Sequence, residues 1–183
     1  MIPLVVLDHP MPWSEPEYLA LGTTACRIEL VDGGLLIGPP PALRHQALTG
    51  GLADALTPGC DAAGLLLLPV VNLRLGPARI VNPDLVVTGP IDLDGPCVPA
   101  AAVRLVAEVD APHTAVIDSV LKRHLYATAG IEWYLLVEQE TGTLRLFRRR
   151  GRNYAEQATV KRGEALELTE PVRATIRPED LVP

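Results

Sequence analysis

Residues 104–138 read RLVAEVDAPHTAVIDSVLKRHLYATAGIEWYLLVE, and this stretch decides the fold prediction. Residues 104–109 form a short apolar run, which is typical of a buried strand. Residues 115–129 carry an apolar stripe at helical spacing, formed by Val116, Val120, Leu121 and Leu125. Gly130 ends that helix, and residues 131–138 predict a second strand. The stretch therefore predicts a strand, a helix and a strand in succession.

Antiparallel strands are predicted on both sides of this stretch. Residues 27–37 contain two β-rich runs around Asp32-Gly33-Gly34, and an Asp-Gly pair between such runs is a strong signal for a hairpin turn. Near the C-terminus, three antiparallel strands are predicted over residues 131–138, 143–149 and 154–160. The sequence therefore predicts an N-terminal hairpin and a C-terminal antiparallel extension.

The remaining predicted elements are two helices and some short strands. Residues 14–21 predict a helix capped by Ser14, and residues 42–56 predict a longer helix that Gly50-Gly51 weakens. Apolar runs predict further strands, with one or two over 65–75, bent at Pro69, and another over 84–87. No segment is long enough to be a domain linker, so we predict one α+β domain over residues 1–183.

The chain has 183 residues and a formal net charge of −6. This charge argues against a protein that coats nucleic acid, so a bound polyanion would need a local basic patch or a metal ion. The run Arg148-Arg149-Arg150 is the only obvious phosphate-binding patch and hence the candidate nucleic-acid contact, although such a run is usually a solvated loop.

Several features indicate a cytoplasmic protein. The three cysteines, Cys26, Cys60 and Cys97, have neither disulfide-framework nor zinc-site spacing, which favours a reducing compartment. Residues 1–10, MIPLVVLDHP, lack the basic region of a secretory signal. The longest apolar run, residues 64–71, is far shorter than a bilayer span. We therefore expect a cytoplasmic location and no membrane segment.

Five polar residues stand where a simple fold does not require them, namely Glu29, Asp84, Glu108, Asp110 and Lys122. Carboxylates that converge from separate strands are typical ligands of Mg²⁺, and a nearby lysine stabilises charge on a phosphate. Taken singly, each residue has a structural alternative. Asp84 could cap a turn, Glu29 could lie on an exposed strand face, and Lys122 could lie on a solvated helix face.

The order of these residues resembles that of the Uma-two (Uma2) family, a bacterial branch of the PD-(D/E)xK nuclease superfamily. The resembling segments are RIELVDGGLLIGPPP at 27–41, NPDLVV at 82–87, LVAEVDAP at 105–112 and LKRHLYATAGIEWYLLV at 121–137. The resemblance covers about residues 14–155. It implies a restriction-endonuclease-like fold, in which helices flank a mixed central sheet.

The resemblance implies a catalytic and metal-binding role for five residues. Asp84 and Glu108 would be metal ligands, and the Val109 carbonyl would complete their site. Glu29 would lie near the metal ion. Lys122 would be the family's catalytic lysine, carried here by the helix that follows the strand. It would orient the attacking water or stabilise the charge that develops on the phosphate.

Three further residues are possible accessories to this site. Tyr126 would pack beside the lysine, and His45 could reach the site, although a structural role for this histidine is equally compatible with the sequence. The family usually reads Glu-Val-x-Ser-Pro where residues 108–112 read EVDAP. Ala111 thus stands where the serine would be, and Asp110, just before it, could add a metal ligand or repel phosphate.

The implied function is endonucleolytic hydrolysis of phosphodiester bonds, with DNA as substrate and one or two Mg²⁺ or Mn²⁺ ions as cofactor. The alternative is a catalytically weak or inactive nuclease-fold module that acts in protein interaction or oligomerisation. Asp110 and the acidic net charge favour that alternative. A nucleic-acid binder without catalysis would rest on the arginine run alone. The sequence is also compatible with a homo-oligomer.

Overall fold

The computed structural model describes residues 9–110 and 115–182. This part of the chain contains three α-helices, α1 (Glu15–Ala20), α2 (Leu43–Ala63) and α3 (Ala115–Thr128). Its strands before α3 are β1 (Arg27–Val31), β2 (Gly34–Gly38), β3 (Leu66–Pro69), β4 (Leu73–Gly76), β5 (Arg79–Val81), β6 (Leu85–Thr88), β7 (Val98–Pro99) and β8 (Val103–Asp110). Those after it are β9 (Trp133–Glu138), β10 (Leu144–Arg150), β11 (Asn153–Val160), β12 (Leu166–Leu168) and β13 (Ala174–Ile176). The mixture confirms the α+β prediction.

The central sheet has six strands in the order β11-β10-β9-β8-β6-β3. β8 and β9 are parallel and every other pair is antiparallel, so the sheet is mixed, as predicted. The parallel pair needs a crossover, and α3 supplies it. Side chains alternate along β8, so that Leu105 and Ala107 pack against α2 while Val106 packs against α3. Helices therefore cover both faces of the sheet.

The predicted N-terminal hairpin is confirmed, with a turn at Asp32 and Gly33. Both residues have positive φ, of 52° and 80°, which suits an Asp-Gly hairpin turn. The hairpin is also part of a five-stranded sheet in the order β2-β1-β5-β4-β7, which the sequence did not predict. The missed strands, β5 and β7, are only three and two residues long, too short for a period-2 pattern to show.

Helix α2 extends beyond the predicted residue 56, to Ala63, and Gly64 ends it in the left-handed conformation. Gly51, one of the two glycines predicted to weaken this helix, instead admits a close neighbour, and so does Gly59 in the extension. A side chain at Gly51 would meet the Leu181 backbone, and one at Gly59 would meet the Arg173 backbone. The C-terminal segment therefore packs directly on α2, which stabilises the helix beyond its intrinsic propensity.

The other sequence predictions are confirmed or refined. Helix α1 has the predicted capping box of Ser14 and Glu17. The apolar segment 65–75 is two strands, β3 and β4, which belong to different sheets. The N-terminal residues 1–8 and the Ala111-Pro112 end of the EVDAP segment lie outside the described residues.

The hairpin β12–β13, which was not predicted, packs on the core beneath α2. In the described part of the chain, no helix is both long and apolar enough to cross a membrane.

Candidate functional site

Four of the predicted site residues meet between the two large sheets. Asp84 directly precedes β6, and β6 pairs with β8 in the register Leu85↔Ala107, so Asp84 lies beside Glu108. Glu29 points from β1 toward the central sheet, because its neighbours in the strand pack on the opposite face. Lys122 comes from α3. All four are buried, with 3–7% of each residue exposed.

Lys122 joins two of these acids. Its Nζ lies 3.0 Å from Glu29 Oε1 and 3.5 Å from Glu108 Oε1. Asn82 also donates its backbone N–H to Glu29 Oε1, at 2.7 Å. Glu29 is thus held by a lysine and a backbone amide. Lys122 thus contacts two of the three clustered acids, and it does so from within the core.

Arg27 joins all three carboxylates, and the sequence analysis did not include it. Its Nη1 lies 3.1 Å from Asp84 Oδ1, its Nε 3.6 Å from Glu29 Oε1, and its Nη2 3.8 Å from Glu108 Oε2. The signal was present, since Arg27 stands two residues before Glu29 and period-2 alternation puts both on one strand face. These carboxylates raise the pKa of Arg27 above its usual value, against the effect of burial.

Asp84 is held in its ionised form. Burial alone would raise its pKa, but His45, Arg27 and the Val109 amide outweigh that effect and lower the pKa to about 2. His45 Nε2 lies 3.1 Å from Asp84 Oδ2, and the Val109 N–H donates to the same oxygen at 2.8 Å. The predicted accessory His45 therefore contacts the site directly, from the first turn of α2.

Glu108 has the opposite electrostatic environment. Burial raises its pKa to about 7, although Lys122 partly opposes the shift. Tyr126 donates a hydrogen bond to Glu108 Oε1 at 2.5 Å, so the predicted accessory tyrosine contacts the acid as well as lying one turn from the lysine. Two neighbouring carboxylates whose pKa values are driven apart are typical of functional sites.

Two of these carboxylates fit a hard cation. Asp84 and Glu108 already converge on one cation, the Arg27 guanidinium, and Mg²⁺ needs only one or two protein carboxylates beside water and substrate oxygens. Among residues 9–110 and 115–182, no three acidic, histidine or cysteine side chains are arranged to hold one ion. Glu29, bound to Lys122, therefore borders the pair in this structure without completing a three-carboxylate site.

A cavity of about 610 Å³ opens onto one side of this cluster. Asp84, Arg27 and His45 line it, together with the polar residues Asn72, Asn82 and Thr24. The imidazole of His45 is buried, and its Nδ1 has no hydrogen-bond partner among the described residues. The cavity therefore reaches Asp84.

Asp110 and Val109 end β8 beside the acid pair. Asp110 is half-buried and lies on the same strand face as Glu108, as predicted. The pKa of Tyr134 is raised by burial and by the charges of Glu108 and Asp110. Asp110 therefore lies near the Tyr134 ring. Val109 contributes its N–H to Asp84. The metal-binding role of the Val109 carbonyl stays a prediction.

The three arginines of the basic run lie on strand β10 and do not share one face. Arg148 pairs with Glu132 at 2.8 Å and lies 5.0 Å above the Trp133 ring, on the α2 side of the sheet. Arg149 points to the other side and donates to the Gly151 carbonyl. Arg150 is exposed. Their contact with nucleic acid stays a prediction.

Comparison with known proteins places this arrangement in a family. A structural match is the crystal structure of a "putative nuclease belonging to DUF820" from Anabaena variabilis ATCC 29413, with a TM-score of 0.69. The two chains are 17% identical, and the match covers 93% of this chain and 97% of that one, so it establishes the fold. No curated protein matches. The profile of Uma2, described as "Putative restriction endonuclease", matches residues 15–178, and the chain therefore belongs to the Uma2 family.

Proposed function

We propose that this protein is a metal-dependent endonuclease that hydrolyses phosphodiester bonds in DNA. The observation that carries the proposal is the convergence of Asp84 and Glu108, from paired strands, on a single cation. The description of the family, "Putative restriction endonuclease", supports the choice of DNA.

Asp84 and Glu108 are the residues that would hold Mg²⁺ or Mn²⁺, and the Val109 carbonyl is a further candidate ligand. One or two such ions, when bound, supply charge stabilisation for the phosphate and lower the pKa of a coordinated water. Glu29 is not assigned as a metal ligand, because its carboxylate already binds the ammonium group of Lys122. The oxygen-rich donor set suits these hard cations better than zinc or copper.

The surrounding side chains position the two acids. His45, Arg27 and the Val109 amide fix Asp84 and lower its pKa, so that a negative oxygen is presented near neutral pH. Tyr126 and Lys122 fix Glu108 from α3. Lys122 is also the proposed donor of positive charge to the transition state. Such fixed dipoles and charges are effective because they need no rearrangement during the reaction.

The cavity beside Asp84 supplies the proposed entry for substrate. Its volume of about 610 Å³ falls in the usual range for ligand sites. Arg27 is the cation that faces it, with 24% of its side chain exposed. A phosphodiester that enters on this side meets Asp84 first, whereas Lys122 lies behind the acids.

Cleavage assays test this function. Wild-type protein should cleave a supercoiled plasmid with Mg²⁺ or Mn²⁺ and not with excess chelator, and Asp84→Asn and Glu108→Gln should each lose most of that activity. Asp32→Asn is a matched control, because Asp32 pairs with Arg79 at the tip of the hairpin. Equal cleavage by wild type and both site variants would show that a contaminant or another site is responsible.

One observation favours the alternative, an inactive nuclease-fold module. All three buried carboxylates are already paired with Arg27 or Lys122, which is how a structural ion cluster is stabilised. Such a module would bind no Mn²⁺ and would not cleave DNA. Its partner could be a second copy of this chain, and sedimentation of the purified protein would show whether it self-associates.

We also propose a cytoplasmic location. All three cysteines lie in the described part of the chain, and no two of them form a disulfide. Unlinked thiols are typical of reducing compartments.

A further inference from the structure

Arg27 is placed where a metal ion would be expected. Its guanidinium lies between Asp84 and Glu108, at 3.1 Å and 3.8 Å from their nearest oxygens. Burial separates this guanidinium from much of the solvent, and its Nε and Nη2 are buried without a hydrogen-bond partner among the described residues. The arginine thus neutralises the acids through charge, with incomplete hydrogen bonding.

The two cations of the cluster differ in their freedom to leave it. Lys122 is 5% exposed and lies on the core side, against Glu29 and Glu108. The Arg27 side chain is 24% exposed and also lines the cavity. Rotation about its own side-chain bonds would therefore move the Arg27 guanidinium toward solvent without displacing a core element.

We infer that Arg27 and a divalent cation compete for the space between Asp84 and Glu108. This inference rests on the proposed metal-dependent function. Arginine balances the buried carboxylates while no divalent ion is bound, and it moves toward the cavity when an ion takes its place. The exchange means that the three buried carboxylates never have Lys122 as their sole buried cation, and it weakens the binding of metal ions.

Electrostatics forbids both cations from remaining in place. A divalent ion that contacts both carboxylates would lie within a few ångströms of the guanidinium, and like charges at that separation repel strongly in a partly buried site. Part of the free energy of metal binding is therefore used to displace Arg27. After its expulsion, the guanidinium lies in the cavity, where a phosphate would enter.

Calorimetric titration of Mn²⁺ into Arg27→Gln tests the competition directly. We expect the dissociation constant for Mn²⁺ to fall by about tenfold or more relative to wild type, since the competing charge is gone. Arg79→Gln is the matched control, because Arg79 pairs with Asp32 away from the site, and its affinity should equal that of wild type. An unchanged or weaker affinity in Arg27→Gln would overturn the inference.

A second measurement uses the wild-type chain, in case Arg27→Gln fails to fold. Arginine-specific dicarbonyl labelling, read by peptide mass spectrometry, should modify Arg27 several-fold faster with saturating Mn²⁺ than with chelator. Labelling of Arg79 should be the same in both conditions. If Arg27 is labelled equally or more slowly with Mn²⁺, the guanidinium does not leave and the inference fails.

The outcomes separate this inference from the proposed function. If wild type binds Mn²⁺ and cleaves DNA while Arg27→Gln binds no more tightly, the competition fails and the nuclease function stands. If Arg27→Gln binds Mn²⁺ and wild type does not, the competition is supported. If neither protein binds Mn²⁺, both the competition and the metal-dependent function fail.

Discussion

The phenol of Tyr126 donates a hydrogen bond to the Glu108 carboxylate, with 2.5 Å between Tyr126 Oη and Glu108 Oε1. Lys122, one turn earlier on α3, lies 3.5 Å from the same oxygen. Positions i and i+4 of a helix share one face, so a single helix face provides both contacts. The position of Glu108 therefore depends on α3 as much as on the strand that carries it.

Removal of this phenol should destabilise the fold. Tyr126→Phe should lower the free energy of unfolding by about 1.5–3 kcal/mol near pH 8, the range for hydrogen bonds to charged groups. Tyr154→Phe is the control, because Tyr154 donates to the neutral Ile131 carbonyl and should lose only about 0.5–1.5 kcal/mol. Urea denaturation measures both. A loss in Tyr126→Phe no larger than in Tyr154→Phe would contradict this account of Glu108.

The stability of the protein should depend on the pH through Glu108. Burial raises the pKa of Glu108 from 4.5 to about 7, so between these values the folded state binds more protons than the unfolded state. The free energy of unfolding of wild type should therefore fall, relative to Glu108→Gln, as the pH rises from about 5 to about 7, and the difference should then level off.

Asp84 does not interfere in this pH window. Its pKa is lowered to about 2, so the stability that it contributes is lost only as the pH falls below its ordinary value of 3.8. Urea denaturation at several pH values measures the difference between wild type and Glu108→Gln. A difference that rises or stays constant between about pH 5 and pH 7 would show that Glu108 is ionised throughout.

Two adjacent glycines of α2 should respond in opposite directions to alanine. Gly50→Ala should stabilise the protein by up to about 1 kcal/mol, because nothing lies within 4 Å of the added methyl and alanine favours helix. Gly51→Ala should destabilise it by about 1–3 kcal/mol, because the methyl meets the Leu181 backbone. Thermal unfolding of the two variants provides the test, and shifts of the same sign would refute the packing of the C-terminal segment on α2.

Arg150 is the best-placed residue of the basic run to contact a phosphate. It is exposed and forms no ion pair within the described ranges, whereas Arg148 is bound to Glu132. Arg150→Gln should lower the slope of log affinity against log salt by about 0.9, as for one phosphate contact. Fluorescence anisotropy with a labelled duplex, in Ca²⁺ to prevent cleavage, measures the slope. An unchanged slope would show that Arg150 contacts no phosphate and that the basic run is a solvated strand end.

The fold was predictable where local signals were strong. The Asp-Gly pair of the hairpin and the apolar stripe of α3 each produced the structure that they predicted. The five-stranded sheet was not predictable, because β5 and β7 have only three and two residues and are defined by their partners. Helix α2 is longer than predicted because contacts with distant backbone outweigh the low helix propensity of its glycines.

The candidate site was predictable in part. The order of Glu29, Asp84, Glu108 and Lys122 identified the cluster, and the structure brings their side chains together. Arg27 was missed because an arginine in a surface hairpin is ordinarily solvated. Its burial among three acids follows from the packing of two sheets, which no local pattern reveals.

The location of a bound metal ion tests the central claim most directly. Crystals soaked in Mn²⁺ should give an anomalous difference peak within about 2.0–2.3 Å of carboxylate oxygens of both Asp84 and Glu108, with the Arg27 guanidinium displaced toward the cavity. Crystals of Asp84→Asn, soaked in the same way, should lack that peak. If wild-type crystals show no peak there and Arg27 still bridges the two acids at saturating Mn²⁺, the cluster is a structural ion network and not a nuclease centre.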